Sequence, residues 1–311
     1  MNPASTPTVV VAVLTYQRPD TLGHALASLR RQLTQVPGAR LVVIDNDVEP
    51  SAAPIVAPIT AADPRVRYVH QPEPGIAAAR NSALEAAAGA DLLVFIDDDE
   101  QPSQRWLAQL VSAWGTHHQP AAVVGPVVSI FEGDPDPWIT AGGFFRRLRH
   151  TTGDEVSTAA TNNLLLDLCE VRRLGLRFDE AFGLTGGSDT VFTRQLSGAG
   201  GRIVWCDEAV VFDMVPADRA TRGWVRARAS RLGNSDLRAQ VHLARPGLPR
   251  LTTRVRGTLR GGVRLLGGGA RMLYGRLLGS LHDEARGTRT ALRGAGMVRG
   301  SWGSVVAEYS R

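Results

Sequence analysis

The 311-residue chain contains no lysine; all 35 of its basic residues are arginine. Chemistry that needs a lysine amine (a Schiff base, a pyridoxal phosphate anchor, the phosphate-gripping lysine of a P-loop) is therefore closed to it. Cysteine is nearly as scarce. Cys169 and Cys206 are too few for a disulfide framework or a cysteine zinc site, so a reducing compartment is expected. Glycine is missing where nucleotide loops require it: the first apolar run, Thr8–Leu14, leads into Thr15-Tyr16-Gln17-Arg18-Pro19, which fits neither the dinucleotide fingerprint nor the Walker loop. Long apolar runs are missing too. The longest uncharged stretch, Trp106–Phe131, is interrupted by Gly115, His117, His118, Gln119, Pro120 and Pro126, and cannot span a bilayer as a helix. Val9–Leu14 is too short for the core of a secretory signal and lacks a basic start. The expected location is the cytoplasm, with a peripheral position on the inner face of the cell membrane left open.

What is present is globular: 43% hydrophobic and 21% charged residues exclude wholesale disorder. The net charge of +5 hides an asymmetry. Residues 1–218 hold 16 arginines against 26 acids, whereas residues 219–311 hold 19 arginines against 4 acids. The expected organisation is an acidic domain over 1–218 and a basic helical extension over 219–311, and clustered like charge predicts a polyanionic partner for the extension.

Apolar β-branched runs at Thr8–Leu14, Arg40–Ile44, Val66–Val69, Leu92–Ile96 and Ala121–Val128 alternate with helix-period segments near Thr21–Leu33, Ile76–Ala88 and Gln104–Trp114. Continuous apolar strands alternating with helices predict an α/β fold, a mostly parallel sheet covered on both faces. Such sheets bind ligands beyond the carboxyl ends of their strands. Those ends carry Asp45-Asn46-Asp47 after the second run, Glu73-Pro74-Gly75 after the third, leading to Arg80 and Asn81, and Asp97-Asp98-Asp99-Glu100 after the fourth. Three of the four therefore deliver carboxylates to one edge.

The triplet Asp97-Asp98-Asp99 is the sharpest feature. Adjacent carboxylates repel, and burial raises their pKa values unless a cation neutralises them. Side chains alternate at a strand end, so Asp97 and Asp99 can share a ligand while Asp98 points elsewhere. Oxygen-only ligands suit Mg²⁺ or Mn²⁺ carrying a diphosphate; the competing reading is a solvated acidic turn. A strand followed by Asp45-Asn46-Asp47-Val48 also fits the nucleophile motif of haloacid dehalogenase phosphatases, with Asp45 as nucleophile. That class steadies its phosphoaspartate with a lysine, which this chain lacks.

Taken in order, Val11–Leu14 with Thr15-Tyr16 and Arg18-Pro19, Val42–Asn46, Pro74-Gly75 with Ala77–Asn81, and Phe95–Glu100 with Pro102 resemble the family 2 glycosyltransferases of the GT-A fold. The likeness continues through Asn162–Leu165, Phe178-Asp179-Glu180 and Gly187-Ser188-Asp189, covering roughly residues 8–230. The resemblance implies a Rossmann-like sheet flanked by helices and metal-dependent, inverting sugar transfer from a nucleoside-diphosphate sugar, a UDP-sugar in the first place. The implied acceptor is a hydroxyl of a glycan, a lipid-linked intermediate or a small molecule. On the donor side it implies Thr15, Tyr16, Arg18, Asp45, Asp47, Gly75, Arg80, Asp97 and Asp98, with Asp45 accepting from the base N–H and Asp98 near the ribose. Asp97 and Asp99 match the family's DxD metal motif. Asp213 stands where many relatives have a metal-contacting His. Asp189 matches the catalytic base, with Ser188 in place of the usual Glu; its competing role is a helix N-cap. Trp138, Asn162, Asn163 and Ser188 are candidate acceptor contacts, as is the patch around Arg146, Arg147 and Arg149. Two rivals keep a related fold: a noncatalytic nucleotide-sugar-binding scaffold, and a nucleotidyltransferase that releases pyrophosphate.

Beyond residue 219 the chain reads as helices. Leu259, Val263, Leu266, Ala270, Leu273, Leu277 and Leu281 form one stripe, with Arg256, Arg260, Arg264 and Arg271 on a neighbouring face. Many glycines interrupt it, each costing about 1 kcal/mol relative to alanine, so the helix is expected to need a partner or a surface. A packed helical lid and a helix lying on an anionic membrane are both open. Nucleic acid is not expected, for want of interleaved aromatics or a known module.

Overall fold

The structure, a computed structural model, describes residues 6–305; positions 306–311 of the basic extension lie outside the described residues. The chain divides into two compact units. One holds the chain up to Val128 with Arg147–Gly183 and Ser188–Asp213; the other holds Ser129–Arg146, Leu184–Gly187 and the chain from Met214.

The first unit is built on strands β1 (Val9–Thr15), β2 (Arg40–Asp45), β3 (Val66–His70), β4 (Leu92–Asp97), β6 (Ala122–Val124), β8 (Asn163–Asp167) and β9 (Ile203–Trp205), in the order β3-β2-β1-β4-β8-β6-β9. β1, β2, β3 and β4 pair in parallel, while β8 runs antiparallel between β4 and β6. All of β1 is buried because both faces are covered. Val9, Val11 and Val13 enter one core with Leu22, Leu26 and Leu29, while Val10, Ala12 and Leu14 enter another with Ala77, Ala79 and Phe192. This two-sided burial is why the run is apolar throughout rather than alternating.

Helix α1 (Pro19–Leu33) starts on a proline with Asp20 in its first turn and ends with Arg30 and Arg31, as its dipole favours. Helix α2 (Ala53–Ala62) escapes the sequence pattern because Pro54 and Pro58 read as breakers, and Pro58 sits inside it. Helix α3 (Ile76–Ala86) lays Ala77, Ala79 and Ala83 against the sheet. Helix α4 (Trp106–Thr116) buries Trp106, Leu107 and Leu110. The run read as one strand over Ala121–Val128 is two, β6 and β7 (Val127–Phe131), broken at Gly125-Pro126. β5 (Glu100–Pro102) pairs antiparallel with β10 (Val211–Val215), within a three-stranded sheet of order β5-β10-β7. Helices α6 (Leu168–Arg173) and α7 (Ser188–Gly198) complete this unit.

The second unit holds α5 (Pro137–Gly142), α8 (Arg222–Leu243), α9 (Leu248–Leu277) and α10 (Leu281–Ser301). Asp136 caps α5 by accepting from the Trp138 N–H at 2.8 Å and pairs with Arg222. Trp138, Ile139, Val225 and Ala285 form its aromatic-rich core with Phe144, Phe145 and Trp224.

Candidate active site

In the first unit, register brings the strand-end residues together: Thr15 stands opposite Asp45 and Leu14 opposite Asp97, so the ends of β2, β1 and β4 share one edge of the sheet. A cavity lined by Val10, Arg40, Arg65 and Arg67 lies at the starts of the strands, away from this edge.

The acids there are not equivalent. Asp98 is buried, its carboxylate accepting from the Thr15 hydroxyl at 2.7 Å and from the Arg18 guanidinium at 3.1 Å; Arg18 also reaches Asp99 at 2.9 Å. Asp97 and Asp99, on the alternate positions, are partly exposed. Packing around Asp97 and the charges of Asp99 and Asp98 push its pKa up to about 7, against the lowering pull of Arg80 and Arg147. Glu100, quoted from the sequence only as the fourth acid, sits deeper. It accepts from the Asp97 N–H at 3.2 Å and from the Asn162 amide at 2.7 Å, and burial beside Asp97 raises its pKa well above the usual carboxylate range. Across the β5–β10 ladder Glu100 faces Asp213, which is paired with Arg147 at 2.8 Å. The charge of Arg147 also pulls the pKa values of Asp97 and Glu100 down, against their burial. Strand pairing across a separation of about a hundred residues created this contact, which no local motif announces.

Asp189 lies in the first turn of α7, one residue past its start, so it is not the helix N-cap. One carboxylate oxygen accepts from the Thr190 N–H at 2.7 Å, leaving the other oxygen without a protein donor among the described residues. Its neighbour Ser188 is fully buried and accepts from Arg80 at 2.6 Å. Arg80 on α3 thus ties the start of α7 to the acid cluster, being close enough to Asp97 to lower its pKa.

Several of the expected site residues are held by the protein's own groups. Asp45 is fully buried; its Oδ2 accepts from the Ala52 N–H at 2.7 Å and the Tyr68 hydroxyl at 2.8 Å, while Oδ1 faces the Ser51 hydroxyl at 3.5 Å. It anchors the chain entering α2 through Oδ2. Asp47 is buried as well, accepting from the Val48 N–H at 2.8 Å and from Gln17 at 3.2 Å. Gly75 has φ +125°, and a Cβ there would stand 3.3 Å from the Gly183 Cα, so its bareness serves a protein backbone. Ser188 is buried behind Arg80.

The acceptor candidate Asn163 is a strut: Oδ1 accepts from the Trp106 indole at 2.8 Å, and Nδ2 donates to the carbonyls of Pro126 at 3.0 Å and Ala209 at 2.7 Å. Asn163→Ala leaves three buried groups unpaired and should cost about 3 kcal/mol, read as a lower urea midpoint at unchanged slope. Trp138, in the second unit, is a core residue with 0% exposure, stacked on Phe144 and flanked by Arg222 and Arg226. Arg149 pairs with Asp207 at 2.6 Å. Among the described residues no three His, Cys, Asp or Glu side chains are grouped to hold a metal by themselves. Asp213 pairs with Arg147 at 2.8 Å. Tyr16 is half-exposed beside Thr15 at the same edge.

The family model "Glycosyl transferase family 2" matches residues 10–167. The succinoglycan biosynthesis protein ExoM of Rhizobium meliloti (strain 1021) is 36% identical over 235 residues, covering 75% of each chain. Among solved structures, the mannosyltransferase PcManGT from Pyrobaculum calidifontis, in complex with GDP-Man and Mn²⁺, aligns over 96% of this chain and 88% of its own with a TM-score of 0.62 at 18% identity. S. aureus TarS in complex with UDP-GlcNAc aligns over 90% of both chains with a TM-score of 0.54 at 14% identity. The fold is GT-A, and the chain belongs to the family 2 glycosyltransferases.

Proposed function

We propose that the enzyme transfers a sugar from a nucleoside-diphosphate sugar, a UDP-sugar in the first place, to a hydroxyl acceptor with inversion at the anomeric carbon. The observation that carries this reading is one charged assembly: Asp97, Asp98, Asp99, Glu100 and Asp213 against Arg18, Arg80 and Arg147, tied through Ser188 to the turn that bears Asp189. Five acids against three guanidiniums leave room for further positive charge. The partly open carboxylates Asp97 and Asp99 fit a hard, oxygen-loving divalent cation such as Mn²⁺ or Mg²⁺, with diphosphate oxygens completing a set the protein alone does not close. Bound there, the cation supplies charge neutralisation for the departing nucleoside diphosphate.

The protein's own groups do the rest. Arg18 and Thr15 fix Asp98 and so hold the edge in shape. The unpaired oxygen of Asp189 takes the proton of the acceptor hydroxyl while the acceptor's oxygen bonds to the anomeric carbon; the bond to the diphosphate breaks on the opposite face. The product is nucleoside diphosphate, whereas a nucleotidyltransferase releases pyrophosphate. ExoM's name supports assembly of a polysaccharide or lipid-linked glycan over a natural-product glycoside, and the nucleotide-sugar and Mn²⁺ complexes of the structural neighbours support the donor class. Free cysteines at Cys169 and Cys206 support a cytoplasmic site of action.

The test is thermal stabilisation across a panel of nucleotide sugars, with and without Mn²⁺. A donor at a hundred times its dissociation constant should add about 2.7 kcal/mol, and only when the metal is present. Asp99→Asn should weaken the metal-dependent part by roughly tenfold, one lost charge contact of about 1.4 kcal/mol. Stabilisation that is the same with chelator present sinks the metal assignment.

A further inference from the structure

Helix α9 carries an apolar ridge that no described residue covers. At about 100° per residue, Leu248, Val255, Leu259, Leu266, Leu273 and Leu277 fall on one face, and Gly257, Gly261, Gly268 and Gly275 fall roughly opposite. The glycine face is the packed one: all four glycines are buried, and the backbones of α9 and α10 meet there, Gly268 against Ala291 and Gly275 against Glu284. The leucine face is consequently turned outward, with Leu266 and Leu277 75% and 85% exposed. A 30-residue helix makes that ridge about 45 Å long. Water does not favour such a stripe, and soluble proteins rarely leave one bare.

Arginine lines both flanks. On the same wheel Arg256 and Arg260 lie to one side of the ridge and Arg276, which pairs with Glu284, to the other; Arg264 and Arg271 lie nearer the glycine seam, where Arg264 reaches Met297 and Arg271 pairs with Asp283. Arg256 and Arg260 are exposed and have no ion-pair partner among the described residues. A surface that accepts both features must be anionic at its boundary and apolar just beneath. Nucleic acid answers the arginines and not the leucines; a second protein's apolar groove answers the leucines and leaves the arginines unmatched. No helix of the described residues is long and apolar enough to cross a membrane.

We propose that α9 docks in the plane of an anionic phospholipid bilayer, its leucine ridge among the outer acyl segments and its flanking arginines on the lipid phosphates. Long arginine stems reach from the flanks of a half-sunk helix to the headgroups, while the glycine seam stays against α10. The inference rests on α9 and its neighbours and does not depend on the donor or metal assignment.

The full chain is sedimented with vesicles of phosphatidylcholine alone and of phosphatidylcholine mixed with phosphatidylglycerol. Partitioning should be roughly tenfold or more higher on the anionic vesicles and should fall as salt rises. Leu259→Glu combined with Leu266→Glu, both solvent-facing positions, should lower it by roughly tenfold or more. The Arg256→Gln and Arg260→Gln pair should lower it and flatten its salt dependence. In solution, without vesicles, the leucine variant should turn over a soluble donor as the parent does. Equal binding to both vesicle types, or a leucine variant that binds like the parent, overturns the proposal. So does self-association of the parent in sedimentation velocity that the leucine variant abolishes, since the ridge is then an interface between copies.

Discussion

Asp189→Asn should lower kcat by about a thousandfold, equivalent to roughly 4 kcal/mol of barrier, while the donor's metal-dependent stabilisation of the protein stays at the parent level. The asymmetry follows from the geometry. Asn has the shape of Asp and keeps an oxygen to accept the Thr190 N–H that holds the side chain in the first turn of α7. It loses the second, unpaired oxygen as a proton acceptor and loses nothing that binds the diphosphate, because Arg18, Asp97 and Asp99 stand on other elements. Removal of a general base of this kind is worth 10²–10⁴ in rate, far more than a lost surface contact. The measurement is initial-rate release of nucleoside diphosphate at saturating donor, beside the thermal shift with donor and Mn²⁺. Turnover by the variant within tenfold of the parent dismisses Asp189 as the base.

How far this site was legible in the sequence differs residue by residue. Asp97–Glu100 could be read because a strand buried on both faces is apolar throughout, so its end is marked by the first charges. Asp45 ends an equally apolar strand and looks the same in the sequence, yet it is buried with one oxygen held by the Ala52 N–H and the Tyr68 hydroxyl, whose approach only the folded chain reveals. An apolar run also carries no direction. β8 reads like its neighbours and runs antiparallel to β4, and that reversal puts Asn163 under Trp106 as a strut. Arg147 and Asp213 reach the acid cluster through tertiary pairing alone.

The glycines of the extension show the same limit at its widest. Propensity counts each as a loss of about 1 kcal/mol, because it refers to a helix standing alone. In the folded chain Gly268 and Gly287 face one another across α9 and α10. A Cβ on Gly268 would collide with the Ala291 nitrogen, and one on Gly287 with the Met272 nitrogen. The two accounts predict opposite signs. If these glycines were only weak helix formers, Gly268→Leu would stabilise the protein by about 1 kcal/mol. With backbone as the obstacle, no rotamer relieves the clash. The helices must separate and loosen the contacts of Gly261 with Gly294 and of Gly275 with Glu284 on either side. The expected result is destabilisation by about 4 kcal/mol or more, the range reserved for severe overpacking, seen as an early loss of helical signal in urea. Gly262→Ala and Gly267→Ala are the matched controls, since a Cβ at either meets nothing within 4 Å. Those two should hold or raise stability by up to about 1 kcal/mol each. A Gly268→Leu protein as stable as these controls rules out the close glycine seam, and with it the outward orientation of the leucine ridge.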